Sequence, residues 1–220
     1  MSRRTIIIGD IHGCYDELCE VLERVGPVAG DRVISVGDLI VKGEKNREVL
    51  DLFSVDERFS AVIGNHDRAL LRYWRGEAIK LKESQERTRV ELEPDRERYS
   101  AYLNSLPFMI DLDTHLIVHA GVRPGVALKD QAVEDLTELR TLGEDRTNRV
   151  GIPWYEVYDG DKIALFGHWP ASQPRRAPRA IGLDTGCVYG FQLTAYIIEA
   201  EEFISAKARR VYEAPKRNLS

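Results

Sequence analysis

The amino-acid sequence predicts an α/β fold with a largely parallel start, and three observations carry that expectation. Short apolar runs alternate with helix-period stretches over the first 76 residues, the order of a sheet with crossover helices. Several of those runs end in a glycine beside an aspartate, asparagine or histidine. The composition is ordinary, 43 % hydrophobic and 30 % charged, which is enough to core a chain of this length.

The elements follow in order. Ile6–Ile8 is a short apolar run and reads as a fully buried strand. Leu18, Val21, Leu22 and Val25 recur at helical spacing over residues 15–25, and Gly26-Pro27 stops that helix. Val33–Val36 is a second strand, ending at Gly37-Asp38; Val49, Leu50, Leu52 and Phe53 mark another short helix. Phe59–Ile63 is a third strand, ending at Gly64-Asn65-His66-Asp67, and Ala69–Trp74 is helical. Residues 77–98 change character: more than half are charged, with both signs mixed, the pattern of a solvated helical excursion, with a lid as the functional alternative. Leu103–Leu112 and Leu116–Val118 are expected as strands, the second ending at His119-Ala120-Gly121. Residues 130–142 are expected to be helical, Ile163–Phe166 is a strand ending at Gly167-His168, and the stretches 180–183, 191–199 and 203–211 are strand-like. No internal repeat or linker divides the chain, so residues 1–220 are expected to form one domain.

Bulk properties narrow the function. A formal net charge of −5 and a pI near 5.6 argue against a dedicated nucleic-acid binder. Three sparse cysteines, none in a Cys-x-x-Cys pair, fit a reducing cytoplasm and give no structural zinc motif. No apolar stretch approaches the roughly 20 residues needed to span a bilayer, and no signal peptide is seen.

The polar residues at strand ends are the most telling. His12, His66, His119 and His168 each fall just past a predicted strand, as do Asp10, Asp38 and Asn65. Ligand sites in α/β folds collect at the carboxyl ends of strands, so these residues are expected on one rim. Imidazole and carboxylate bind Zn, Mn and Fe well. Asp10 and His12, two residues apart in extended chain, point the same way and can reach one ion. Two divalent ions against two carboxylates leave positive charge that suits a phosphate and acidifies a water. His115 follows a turn at Asp113-Thr114 and reads as structural, and Cys14 as a small buried residue.

The ordered set Gly9-Asp10-Ile11-His12-Gly13, Gly37-Asp38, Gly64-Asn65-His66-Asp67, His119-Ala120-Gly121 and Gly167-His168 resembles the calcineurin-like metallophosphoesterases. The similarity is greatest to the branch of serine/threonine protein phosphatases and symmetrical bis(5′-nucleosyl)-tetraphosphatases; Asp184-Thr185-Gly186-Cys187-Val188-Tyr189-Gly190 looks like the late segment of bacterial members. The resemblance implies a four-layer β-sandwich flanked by helices with a dinuclear metal site. It places Asp10, His12 and Asp38 on one metal and Asp38, Asn65, His119 and His168 on the other. It makes His66 the general acid, with the ions, manganese first and iron, zinc or cobalt as alternatives, activating a water for in-line attack on phosphorus.

The second motif departs from the protein phosphatases, which read Gly-Asp-x-Val-Asp-Arg-Gly. Here Val41 replaces the Asp that orients the catalytic histidine, and Lys42 replaces the Arg that grips phosphate. Lysine keeps the charge but not the bidentate fork. The Lys-Gly form resembles the ApaH-like phosphatases, which implies phosphoanhydride substrates such as dinucleoside polyphosphates or polyphosphate. A protein serine/threonine or dual-specificity phosphatase acting on a phosphoprotein is the alternative, and a non-catalytic metal-binding regulator a remote third. Arg140 and, as its rival, Arg123 are candidate phosphate grips; Arg146 and Arg149 read as surface charges. Arg175, Arg176 and Arg179 read as a solvated loop or a contact for a polyanionic tail. Trp154, Tyr155 and Trp169 read as packing or as a stacking surface for a base.

Overall fold

The computed structural model describes residues 3–215. The chain opens with β1 (Thr5–Ile8), α1 (Tyr15–Val25), β2 (Arg32–Ser35), α2 (Asn46–Val55), β3 (Phe59–Ala61) and α3 (Asn65–Trp74). The helices α4 (Glu83–Leu92) and α5 (Arg96–Ser105) follow, then β4 (Met109–Asp111), β5 (His115–Val118) and the short α6 (Val133–Glu138). A two-stranded ribbon pairs β6 (Thr141–Leu142) with β7 (Ile152–Pro153). The last strands are β8 (Ile163–Phe166), β9 (Arg175–Ala177), β10 (Ala180–Gly182), β11 (Gln192–Ile197) and β12 (Glu202–Lys207).

Two five-stranded sheets result, in the orders β12-β11-β1-β2-β3 and β4-β5-β8-β10-β9. Strands β1, β2 and β3 are mutually parallel, as are β5, β8 and β10. Both faces of the central strands are covered, which is why they read as continuous apolar runs rather than alternating ones. Ile7, Ile34, Ile117 and Leu165 pack between the sheets. Their neighbours Ile6, Ile8 and Val33 face α1, α2 and α3. Leu116, Val118 and Phe166 face Leu136 of α6 and Trp154 on the opposite outer side. The layers are therefore helix, sheet, sheet, helix.

Three sequence expectations change. Residues 103–105 close the helix α5 instead of opening a strand, because Tyr99 and Leu103, one turn apart, bury the same helical face; the strand is confined to Met109–Asp111. The helix expected over 130–142 is limited to Val133–Glu138. It ends where the Arg140 backbone N–H turns to the Arg146 carbonyl at 2.7 Å. The charged excursion is partly built in: Leu92, Ser84, Gln85 and Thr88 are buried. Glu91 anchors it by accepting from Asn46 Nδ2 at 2.6 Å and the Arg47 backbone N–H at 3.0 Å.

The amino-terminal ends of the neighbouring strands β1 and β2 carry a titratable clamp. Arg4 donates from Nε and Nη2 to Asp31 Oδ2 at 3.0 and 2.6 Å. The Arg4 and Val28 backbone N–H groups add bonds of 3.0 Å each. The guanidinium, helped by these amides, holds the Asp31 carboxyl down at about 2. A depressed carboxyl stabilises the fold above its unfolded value near 4, and that contribution is lost as pH falls toward 2. Asp31→Asn is expected to lower the denaturation midpoint at pH 7 and to flatten the acid arm of a stability curve between pH 4 and 2. An unchanged acid arm would contradict this role.

Candidate metal centre

Six loops at the carboxyl ends of parallel strands converge between the sheets: those after β1, β2, β3, β5, β8 and β10. They bring Asp10 and His12, Asp38, Asn65 and His66, His119, His168 and Asp184 around one cavity of about 840 Å³. Backbone strain gathers here. His12, Asp38, Val41, Lys42 and His168 are five of the six non-glycine residues with positive φ among the described residues. Glycine is required at two close approaches, because a Cβ at Gly64 would overlap Asp38 Oδ1 and one at Gly167 would overlap Asp10 Oδ1.

Hydrogen bonds fix the imidazole tautomers. A carbonyl can only accept, so His12 donates Nδ1–H to the Ile40 carbonyl at 3.2 Å and His119 donates Nδ1–H to the Val36 carbonyl at 2.9 Å. In neutral rings both Nε2 atoms then carry lone pairs. His12 Nε2 faces Asp38 Oδ2 at 3.5 Å, and His119 Nε2 faces Asp38 Oδ1 at the same distance. His119 Nε2 also lies 3.1 Å from Asn65 Oδ1, which His168 Nδ1 approaches at 2.9 Å. Electron pairs thus meet with too few protons between them, and Asp38 touches both groups. A pair of cations fits this donor set. Asp10, His12 and Asp38 alone already offer ligand atoms within 4.8 Å of one another. On the first of these groups a native cation already sits: Lys42 Nζ donates to His12 Nε2 at 2.9 Å.

The electrostatics agree. Burial, then the charges of Asp184 and Asp38, push the Asp10 carboxyl well up. Burial raises Asp38 to about 6 and lowers His119 to about 4. Burial first, then the Lys42 ammonium, holds His12 and His66 far below the usual imidazole range. The imidazoles are therefore neutral, the form that binds metal.

The calcineurin-like phosphoesterase family matches residues 3–197. The chain belongs to this family. Among curated relatives, an asymmetrical bis(5′-nucleosyl)-tetraphosphatase, PrpE, of Halalkalibacterium halodurans is 33 % identical, covering 93 % of this chain and 94 % of that protein. A symmetrical bis(5′-nucleosyl)-tetraphosphatase of Vibrio parahaemolyticus is 28 % identical over 93 % of this chain and 98 % of its own length. A solved structure assigned provisionally as a diadenosine tetraphosphatase superposes with a TM-score of 0.79 at 30 % identity, covering 94 % of this chain and 95 % of that one. This calcineurin-like phosphoesterase is a metal-dependent hydrolase with the two-sheet fold that the sequence resemblance implied.

The remaining candidates separate. Lys42 and Arg140 line the cavity. Lys42 lies over the Tyr189 ring, 5.2 Å from its centroid. Arg140 donates to the His168 and Thr147 carbonyls at 3.3 Å, and its buried Nε has no partner among the described residues. Arg123 is drawn away: its Nε and Nη2 are both 2.9 Å from Asp135, outside the cavity lining. Arg149, expected at the surface, lines the cavity instead. Arg175 and Arg176 lie over the rings of Trp169 and Phe203, and Arg179 donates to the Gly160 and Asp161 carbonyls. Trp154 and Tyr155 pack on Phe166. His115 meets Thr114 Oγ1, away from the rim.

The Val41 departure has a structural answer. Its side chain is wholly buried in the apolar core, so it offers His66 nothing polar. Asp67 does not substitute, because its carboxylate accepts the N–H groups of Leu39, Ile40 and Gly64 at 3.0–3.3 Å. His66 Nδ1 has no partner among the described residues. Instead, the ring stands edge-on to His12, with centroids 5.2 Å apart, while its backbone N–H donates to Asp38 Oδ1 at 2.9 Å. Sequence reasoning assigned no role to Asp184, although it follows a strand end as the other site residues do. Lys82 and Arg87, on the excursion, also line the cavity; nothing in their local sequence signals this.

Proposed function

We propose that this phosphoesterase hydrolyses phosphoanhydrides, dinucleoside polyphosphates first among them, in the cytoplasm. The carrying observation is the rim of Asp10, His12, Asp38, Asn65 and His168, joined by the buried His119, at a cavity whose wall adds Lys42, Lys82, Arg87 and Arg140. Such cations suit a chain of several phosphates. The tetraphosphatase relatives, alike over nearly their whole length, favour the same substrate class.

Asp10, His12 and Asp38 would hold one ion and Asp38, Asn65, His119 and His168 the other, with manganese preferred over iron, zinc or cobalt. When bound, two divalent ions supply Lewis acidity toward phosphate and lower the pKa of water enough to give a nucleophile at neutral pH. The chain does the rest. Lys42 and Arg140 neutralise phosphate oxygens and hold the scissile group in line. His66, held neutral by burial and by the Lys42 ammonium, gains a proton more readily as the polyanionic substrate enters, and it delivers that proton to the departing oxygen.

The test is a competitive assay of manganese-loaded protein against diadenosine tetraphosphate, polyphosphate, and phosphoserine and phosphotyrosine peptides. Anhydride turnover is expected to dominate, and the nucleotide products, ATP with AMP or two ADP, read the position of cleavage. Dominant phosphopeptide turnover would transfer the assignment to a protein phosphatase.

A further inference from the structure

A second cluster of ligating side chains lies outside the phosphate cavity. Cys14 precedes α1, Glu17 sits in its first turn, and Cys187 opens the short turn 187–189 after Asp184. The two sulfurs and a Glu17 carboxylate oxygen lie within 4.8 Å of one another. All three residues are no more than 2 % exposed. Glu17 Oε1 accepts from the Arg209 backbone N–H and the Tyr212 hydroxyl, each at 2.8 Å, whereas Oε2 is buried with no partner among the described residues. The surroundings are apolar, with Leu18, Val188 and Leu193 in the same core. A carboxylate oxygen in such a place calls for a positive partner. Cys14 Sγ also donates to the His12 carbonyl oxygen at 3.9 Å, which places another oxygen at the edge of the cluster.

We propose that Cys14, Cys187 and Glu17 form a binding site for one thiophilic divalent cation of the zinc class, separate from the ions of the phosphate cavity. Two thiolates with one carboxylate select zinc or cadmium over manganese. Binding makes two metal–sulfur bonds and one metal–oxygen bond and releases two thiol protons to solvent, with no change of oxidation state. The cation would tie Cys14, two residues after His12 and just before α1, to the turn that carries Tyr189 beneath Lys42.

The test adds Cd²⁺ to the reduced, chelator-treated, full-length protein. A sulfur-to-metal charge-transfer absorption that saturates at one equivalent is expected. It should disappear in Cys14→Ser and Cys187→Ser and persist in Cys19→Ser, whose thiol is exposed. The phosphate-cavity ligands include no sulfur, so the signal reports on this cluster alone, and its failure leaves the hydrolase assignment untouched. Should a serine variant not fold, cadmium NMR of the unaltered protein decides, with a resonance in the sulfur-ligated range expected. Absence of the absorption, cadmium resonances confined to oxygen and nitrogen ligation, or a Cys14–Cys187 disulfide in the protein as purified would overturn the proposal.

Discussion

His66→Asn is expected to lower turnover of the metal-loaded enzyme by about 10²–10⁴-fold, the usual worth of a general acid, while metal content stays at the wild-type level. His66 lines the cavity without being needed in either proposed ligand group, and among the described residues its hydrogen bond to a proposed ligand runs through its backbone N–H to Asp38. The asparagine variant keeps that bond. The size of the loss is expected to follow the leaving group. A departing phosphate, whose second pKa is about 6, needs little help from an acid, so anhydrides should sit near the lower end. An alkyl phosphate, which departs as an alkoxide, should sit near the upper end. Comparing a nitrophenyl ester with an alkyl ester separates this from a general loss of binding; an equal loss on both would argue against proton delivery by His66.

Asp38→Asn is expected to act with opposite signs on stability and on metal binding. Asp38 is the one carboxylate placed 3.5 Å from both His12 Nε2 and His119 Nε2. Losing its charge should weaken both ions by more than the roughly 10–100-fold typical of an outer-shell change. The metal-free fold behaves differently. Burial raises Asp38 to about 6, so the folded state binds its proton more tightly than the unfolded chain does. Its contribution to stability is therefore full below about pH 4 and is lost as pH rises through 6. Asparagine carries no such charge, and the metal-free variant should match or exceed metal-free wild type at pH 8. Denaturant midpoints with and without chelator, read at pH 5 and pH 8, check both halves. Retained metal affinity, or a metal-free variant that is weaker at pH 8, would contradict the placement of Asp38 between two ions.

Much of the site was legible because its physics is local. A strand buried on both faces shows as an unbroken apolar run, and a ligand at its end shows as a polar residue beside a glycine; Ile6–Ile8 before Asp10 and Ile163–Phe166 before His168 both display this. Where the deciding contact is distant in sequence, the reading fails. Leu103 reads as the start of a strand until α3 supplies the surface that α5 covers with Tyr99 and Leu103. Arg123 follows the His119 motif closely, yet Asp135, twelve residues on, takes its guanidinium. Lys82 and Arg87 reach the cavity from α4, whose buried face and Glu91 carboxylate hold it against Asn46 and Arg47, far away in sequence. Val41 was visible as a departure from the protein-phosphatase motif, but that the His12 ring flanks His66 in its place depends on loops from two different strands.

One rim is proposed to hold two ions with Asp38 between them. Anomalous scattering from crystals soaked in Mn²⁺ tests it most directly. Two peaks are expected in the cavity, one bonded to Asp10, His12 and Asp38 and the other to Asp38, Asn65, His119 and His168. A single peak, or two peaks that do not share Asp38, would contradict it.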